Sequence, residues 1–145
     1  MVGEVKFSIS TTSKAKPEKI IDTISDWNKL PEFWHGMREI SGSQAPMLTV
    51  KFAFPGTGRM TYACDLETLT CTENYLGGPF TGFKEIRISP ADEGSVITVK
   101  WDIKLSLKLL FMKSFVTKHF RQGTENAIKR IAQTAEDSAK MNGTV

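Results

Sequence analysis

The stretch LSLKLLFMKSFVTKHFRQGTENAIKRIAQTAEDSA, residues 105–139, decides the fold of this chain. Apolar and small residues recur along it in steps of three or four, which places them on one face of an α-helix. This stripe consists of Leu109, Met112, Val116, Phe120, Gly123, Ala127, Ile131 and Thr134. As a single helix, residues 108–139 would extend roughly 48 Å at about 1.5 Å per residue. A small domain buries a stripe of this length by laying it across a sheet.

Two features distinguish this predicted helix from an ordinary core helix. Its middle carries the small residues Gly123, Thr124 and Ala127. Because Gly inside a helix costs about 1 kcal/mol relative to Ala, Gly123 indicates either close packing or open space. The start of the helix, residues 105–116, is apolar on nearly every side, which is typical of a buried helix. An exposed gate or docking surface is the alternative interpretation of this segment.

Length and composition describe one globular domain that spans residues 1–145. Charged residues at 24% and hydrophobic residues at 40% are typical of a folded chain rather than a disordered one. The net charge of +3 is too small and too dispersed to indicate a nucleic-acid partner. No apolar run has the length of a membrane span and the N-terminus does not resemble a signal peptide, so a cytoplasmic location is expected.

The two cysteines, Cys64 and Cys71, do not have the spacing or the histidine partners of a metal site. If Glu67 and Thr68 form a two-residue hairpin turn, these cysteines lie directly opposite each other on adjacent strands. Reduced core cysteines are the expectation for a cytoplasmic protein, and a cross-strand disulfide is the alternative.

Alternating apolar and polar residues predict seven strands. The first covers residues 4–11. Pro17 then opens a short amphipathic helix that extends to residue 27, and a second short helix is predicted over residues 28–34. Six further strands are predicted over residues 38–43, 47–54, 59–66, 69–76, 80–88 and 95–105. Because successive hairpins reverse the chain, we expect an antiparallel sheet with a polar outer face and an α+β fold class.

The order of these elements resembles that of the START or SRPBCC superfamily of helix-grip proteins, which includes the pollen allergens. The opening strand, the segment PEKIIDTISDW at residues 17–27, the glycine-containing loop before Phe80 and the long terminal helix carry this resemblance, which covers essentially the whole chain. It implies a strongly curved seven-stranded antiparallel sheet wrapped around the C-terminal helix, with two short helices after the first strand. Such families include lipid and hormone carriers, aromatase/cyclases, quinone-binding proteins and co-chaperones. Within the superfamily, the chain resembles a small archaeal branch regarded as fatty-acid carriers, which implies a fatty-acid ligand.

The hairpin order predicts that the loops at residues 35–36, 55–58, 77–82 and 106–108 share one end of the sheet. They would surround the mouth of an apolar pocket between sheet and helix, which is the usual form of a small-ligand site. The expected ligand-binding residues are Trp34, Phe52, Phe54, Tyr62, Tyr75, Phe80, Trp101, Val116, Phe120, Gly123 and Ala127. Arg59, Lys108 and Lys113 are expected to hold the ligand head group at the rim. For each apolar residue in this set, the alternative to lining a pocket is ordinary packing in the hydrophobic core.

Glu73 is the candidate acid or base. The alternation of its strand predicts that it faces inward, where an unpaired carboxylate would be costly. A one-residue bulge that turns it to solvent is the alternative. An inward Glu73 would be protonated or paired with Tyr62, Lys113 or His119. His119 lies one position off the helix stripe, so we expect it on the helix flank rather than in catalysis.

No nucleophile elbow, phosphate loop or metal-ligand spacing occurs in the sequence, so no catalytic residue, metal or cofactor is predicted. The leading hypothesis is a non-enzymatic, cytoplasmic carrier of a fatty acid or related lipid, monomeric or weakly dimeric, with no nucleic-acid partner. Residues 107–115 would contact membranes transiently. A cyclase- or hydrolase-like enzyme that uses Glu73 with Tyr75 or His119 is one alternative. The other is a co-chaperone-like interaction module with a filled interior.

Overall fold

The computed structural model describes residues 3–44, 46–53 and 56–141 of the chain. The strands are β1 (Glu4–Ser13), β2 (Met37–Gln44), β3 (Met47–Phe52), β4 (Thr57–Asp65), β5 (Thr70–Gly77), β6 (Phe80–Ala91) and β7 (Gly94–Leu105). The helices are α1 (Pro17–Ile24), α2 (Leu30–Phe33), α3 (Leu107–Leu110) and α4 (Lys113–Met141), and a 3-10 turn at Trp27–Lys29 precedes α2. The order of the elements is the predicted one, except that the single helix predicted at the C-terminus is divided into α3 and α4.

The seven strands form one sheet in the order β1-β7-β6-β5-β4-β3-β2, and every neighbouring pair is antiparallel. The α+β helix-grip architecture inferred from the resemblance is therefore confirmed. Register shifts in β2 and between Arg59 and Met60 in β4 mark bulges, which bend a strand and increase its twist. At Gly82, φ is +121°, and a Cβ would collide with the Asp102 carbonyl of β7, so only glycine permits this close approach.

The predicted single helix over residues 108–139 is divided into α3 and α4 by a turn at Phe111 and Met112. The first segment is not buried, because Leu107 is 86% exposed and Phe111 is 83% exposed. The expectation of a buried helix start is therefore wrong, and the alternative of an exposed apolar surface describes this segment. Among the described residues, no helix is both long enough and apolar enough to cross a membrane.

The stripe of α4 follows the prediction as far as Ile131 and then shifts. Thr134 is exposed, and Ala132, Ala135 and Ala139 are buried in its place. The buried stripe therefore moves by one position over the last two turns of α4.

The two cysteines lie directly opposite each other in the β4–β5 register, with their Cα atoms 4.0 Å apart, and they form a disulfide. The expectation of reduced cysteines is therefore wrong, and the alternative, a cross-strand disulfide, is observed. The register is the predicted one. The same pairing places Leu66 at the tip of the hairpin, where it is 68% exposed instead of facing the core.

Candidate functional site

A cavity of about 650 Å³ lies between the inner face of the sheet and the first half of α4. The sheet contributes Phe52, Tyr75, Phe80, Lys84 and Trp101 to its lining. The segment after α2 contributes Trp34, His35, Gly36, Met37 and Arg38. The helical side consists of Leu109, Met112, Phe115, Val116, His119, Phe120, Gln122, Gly123, Thr124 and Asn126, with Arg130 farther along α4. The interaction-module hypothesis predicted a filled interior, and this cavity counts against it.

The loops around the cavity mouth meet at one end of the sheet, as the hairpin order predicts. The Ala53 amide donates to the Gly36 carbonyl at 2.8 Å, and the Ser106 amide donates to the Pro79 carbonyl at 2.8 Å. The first bond joins the end of β3 to the segment after α2, and the second joins the start of α3 to the β5–β6 loop.

Eight of the residues expected to bind a ligand line this cavity. They are Trp34, Phe52, Tyr75, Phe80, Trp101, Val116, Phe120 and Gly123. Tyr62 does not line it, because its hydroxyl donates to the Ile24 carbonyl at 2.6 Å under α1. Ala127 is fully buried in the core and also does not line it. Phe54 lies outside the described residues.

The three cations expected at the rim do not line the cavity. Arg59 lies over Gly77, and Lys108 is exposed on α3. Lys113 borders a separate shallow depression on the surface of α4. The head-group role of these three residues therefore has no support from the lining of the cavity and stays a prediction. The basic residues that do line the cavity are His35, Arg38, Lys84, His119 and Arg130.

The aromatic floor of the cavity supports α4 through Phe120. The ring of Phe120 lies 5.0 Å from that of Trp101 and 5.4 Å from that of Phe80. The Trp101 indole donates to the Thr124 hydroxyl at 2.8 Å, and that hydroxyl donates to the Phe120 carbonyl at 2.7 Å. Beyond this support the helix leaves free volume, because a Cβ added at Gly123 would meet no heavy atom within 4 Å. Of the two explanations for Gly123, open space is the correct one.

A buried ion pair lies at the inner end of the cavity. Glu73 and Lys84 are directly opposite each other in the β5–β6 register, and both are completely buried. Their Oε2 and Nζ atoms are 2.8 Å apart and form an ion pair. The Tyr75 hydroxyl donates to the other carboxylate oxygen, Oε1, at 2.6 Å. Of the two orientations considered for Glu73, the inward one is observed, and its partners are Lys84 and Tyr75 rather than Tyr62, Lys113 or His119.

Burial shifts the pKa values of this cluster. Burial lowers the pKa of Lys84 to about 8, although the charge of Glu73 acts in the opposite direction. Burial, followed by the charge of Glu73, raises the pKa values of Tyr75 and of Tyr62 above the usual value for a phenol. Because of this lowered pKa, Lys84 loses its proton at mildly alkaline pH, where a surface lysine stays charged.

Lys84 was not predicted from the sequence. Its Nζ lies 3.2 Å from the ring centroid of Trp34 and 5.0 Å from that of Trp101, so two indole faces cover the ammonium. The signal that could have found it is the alternation of β6, because Phe80, Ile86 and Ile88 are buried on the same face. Trp34, which was predicted, has an indole Nε1 with no hydrogen-bond partner among the described residues.

His119 lies near the mouth, where its ring stacks on that of Phe115 with centroids 5.0 Å apart. It is exposed and lines the cavity, which agrees with a position on the helix flank. Among the described residues, no group of three or more His, Cys, Asp or Glu side chains is arranged to hold a metal ion. The chemistry that the site offers is apolar contact, a buried acid–base pair and basic groups at the mouth.

The comparison with protein families identifies the class. The family described as polyketide cyclase/dehydrase and lipid transport matches residues 4–136, so this chain belongs to that family. Its fold is that of the START superfamily of ligand-binding helix-grip proteins. No curated protein matches the chain significantly in sequence.

Several solved structures share the fold at low sequence identity. A START superfamily protein from Mycobacterium smegmatis is 15% identical with a TM-score of 0.75, and the match covers 92% of this chain and 98% of that one. Ara h 8.0201 is 20% identical with a TM-score of 0.66, and the match covers 93% and 99% of the two chains. The di-domain aromatase/cyclase StfQ of the steffimycin biosynthetic pathway is 12% identical with a TM-score of 0.75. That match covers 95% of this chain, which spans about half (52%) of StfQ. At these identities the likeness shows the fold alone.

Proposed function

We propose that this protein binds one hydrophobic small molecule, a fatty acid or related lipid, and carries it unchanged. The observation that supports this function is the cavity of about 650 Å³ with its apolar and aromatic lining. Its volume falls within the range of about 300–1,000 Å³ that is typical of small-ligand sites. Burial of ten methylene groups would contribute about 8 kcal/mol before ordering costs. A contribution of this size is sufficient for binding at about micromolar concentrations.

The basic residues at the mouth support an orientation with the apolar tail inside. His35, Arg38 and His119 line the cavity and are exposed to solvent. A carboxylate near them would keep much of its hydration and gain favourable charge interactions, which avoids the cost of burying an ion. In this proposal these three residues take the head-group role first assigned to Arg59, Lys108 and Lys113.

Loading is best tested by native mass spectrometry of the full chain after incubation with dodecanoate. We expect a complex with one fatty acid per chain. Gly123→Phe would place a large side chain in the open volume and abolish the complex, whereas the matched variant Gly123→Ala would retain it. A mass that stays ligand-free in the wild-type protein would refute the carrier function.

The segment 107–115, which we call the mouth segment, supports exchange of the ligand at an anionic membrane. Leu107 and Phe111 are almost fully exposed, and Phe115 is 58% exposed while also lining the cavity. From residue 103 to residue 124 the sequence contains four lysines and one arginine but neither Asp nor Glu. Exposed apolar side chains among positive charges are typical of a surface that lies at a lipid headgroup interface.

Vesicle co-sedimentation tests the mouth segment. We expect binding to vesicles of phosphatidylserine and phosphatidylcholine that weakens with salt, and little binding to phosphatidylcholine alone. Phe111→Ser should reduce this binding several-fold. Leu66→Ser, which removes an exposed apolar residue at the far hairpin, should not. Equal effects of the two substitutions would contradict a specific membrane-facing role.

A second candidate function, catalysis of a cyclisation or dehydration, is supported by the buried cluster of Glu73, Lys84 and Tyr75. An acid–base pair held in a cavity is a common arrangement at catalytic sites, and the family description includes cyclase and dehydrase. This function predicts turnover of a polyketide-like substrate that is lost in Glu73→Gln while ligand binding survives. Binding without turnover in the wild-type protein favours the carrier.

The cytoplasmic location stays a prediction. A disulfide such as Cys64–Cys71 is more common in oxidising compartments than in the cytosol of mesophiles. Thiol labelling of protein taken directly from cells would show whether the two cysteines are oxidised where the protein works.

A further inference from the structure

We propose that Lys84 Nζ and Trp34 Nε1 form a subsite at the inner end of the cavity for an uncharged carbonyl oxygen of the ligand. This inference rests on the proposed function and narrows its ligand class to lipids that carry a carbonyl group in the tail, which should bind more tightly than a saturated fatty acid such as dodecanoate. The preferred ligand is a hydrophobic molecule that carries a ketone or ester carbonyl in the part that enters first.

Both groups are hydrogen-bond donors without an acceptor function. An ammonium and an indole N–H have no lone pair to offer, so the complementary ligand atom must be an acceptor. Trp34 is 5% exposed and its Nε1 has no partner among the described residues. Lys84 is completely buried, and its contact with Glu73 uses only part of its three-donor capacity. Buried donors without partners are rare in folded proteins, so each unpaired donor calls for a physical explanation.

The charge of the cluster selects an uncharged oxygen. Lys84 and Glu73 neutralise each other at 2.8 Å, and Tyr75 donates to the remaining carboxylate oxygen. A ligand carboxylate at this depth would give the buried cluster a net negative charge, which the apolar surroundings disfavour strongly. A carbonyl oxygen accepts hydrogen bonds and adds no charge. A saturated hydrocarbon end would leave the Trp34 N–H unpaired and would leave the Lys84 ammonium with Glu73 as its polar partner.

The position of Trp34 allows a ligand to reach this pair. The residue follows α2 directly and precedes the exposed His35 and Gly36, and a Cβ at Gly36 would meet no atom within 4 Å. The indole lies over Lys84 and lines the cavity at the same time.

The test compares three probes of one shape by equilibrium dialysis with the full chain: 2-acetylnaphthalene, 2-ethylnaphthalene and 2-naphthoate. We expect the ketone to bind about tenfold more tightly than the hydrocarbon, because the hydrocarbon leaves a buried donor unsatisfied. The carboxylate should bind more weakly than the ketone at pH 7. Absence of binding by all three probes would refute the proposed function together with this subsite, whereas equal binding of ketone and hydrocarbon would refute the subsite alone.

Two variants assign the donors. Trp34→Phe keeps an aromatic ring and removes the N–H, and the double variant Glu73→Gln/Lys84→Met removes the ammonium without leaving an unpaired buried carboxylate. We expect the ratio of the ketone affinity to the 2-ethylnaphthalene affinity to fall several-fold in at least one of them, which identifies the donor. A preference that is unchanged in both variants overturns the proposal.

Discussion

The two halves of α4 carry the same kind of apolar repeat, yet they meet the rest of the protein differently. In residues 127–139 the helix buries Ala127, Ile128, Ile131, Ala132, Ala135 and Ala139. In residues 113–123 only Val116 is buried, and the cavity lies beneath. We call these segments the packed half and the open half. The comparison teaches that the spacing of apolar residues places a helix on a sheet, while the opposing surface decides whether the interface is filled.

The opposing surfaces explain the difference. The packed half is anchored to the end of β1, because the Ser13 hydroxyl and the Lys14 amide donate to the Glu136 carboxylate at 2.9 and 3.1 Å. The open half rests on large rings through Phe120, and the Glu73–Lys84 pair lies in the sheet beneath it. Rigid aromatic side chains of this size cannot interdigitate closely with Gly123 and its neighbours, so free volume persists there.

The largest effect is expected from breaking the ion pair under the open half. Lys84→Met leaves the buried Glu73 carboxylate without its counter-charge and should lower the free energy of unfolding by about 3–5 kcal/mol. The matched double variant Glu73→Gln/Lys84→Met should recover more than half of that loss, since no buried charge remains. Guanidinium denaturation measures both. A loss below about 1 kcal/mol in the single variant would show that the pair is not buried in solution.

The packed and open halves should respond differently to truncation. Ile131→Ala removes a fully buried side chain from the packed half and should lower the free energy of unfolding by about 2–5 kcal/mol. Val116→Ala removes a smaller side chain that already borders free volume, so less than half of that loss is expected. Thermal and denaturant unfolding of both variants provide the measurement. Equal losses would contradict the difference in packing between the halves.

The element order and most of the cavity lining could be predicted from the sequence, because both depend on local periodicity. Alternation placed Glu73 inward, and helical spacing placed Phe120 and Gly123 on the sheet side. The break at residues 111–112 and the exposure of Leu107 could not be predicted in this way, since an apolar run indicates burial only where a partner surface covers it. The alternation of β6 indicates that Lys84 faces inward, but its pairing with Glu73 depends on the β5–β6 register, which the sequence does not show.

The ion pair also predicts a pH dependence in the floor of the open half. Burial lowers the pKa of Lys84 from 10.5 to about 8, so between these pH values the unfolded chain binds more protons at this residue than the folded chain. The contribution of Lys84 to the free energy of unfolding should therefore rise with pH through this interval, by at most about 1.4 kcal/mol per pH unit. Denaturation at pH 7.5 and 9.5, with the Glu73→Gln/Lys84→Met variant as reference, isolates this residue. A difference that falls with pH would contradict the lowered pKa.

The smallest expected effects come from a pair of opposite substitutions, glycine to alanine in the open half and alanine to glycine in the packed half. This pair compares the two halves most directly, because the same two residue types are exchanged in each. Gly123→Ala adds a methyl group that meets no heavy atom within 4 Å, so it should raise the free energy of unfolding by about 0.5–1 kcal/mol through helix propensity alone. Ala135→Gly in the packed half loses the same propensity together with a fully buried methyl group, and should lower it by more than about 1 kcal/mol. Denaturant unfolding of the two variants measures both changes. A destabilising Gly123→Ala would mean that the helix and sheet approach each other closely at Gly123 in solution, and the open half would then be closed.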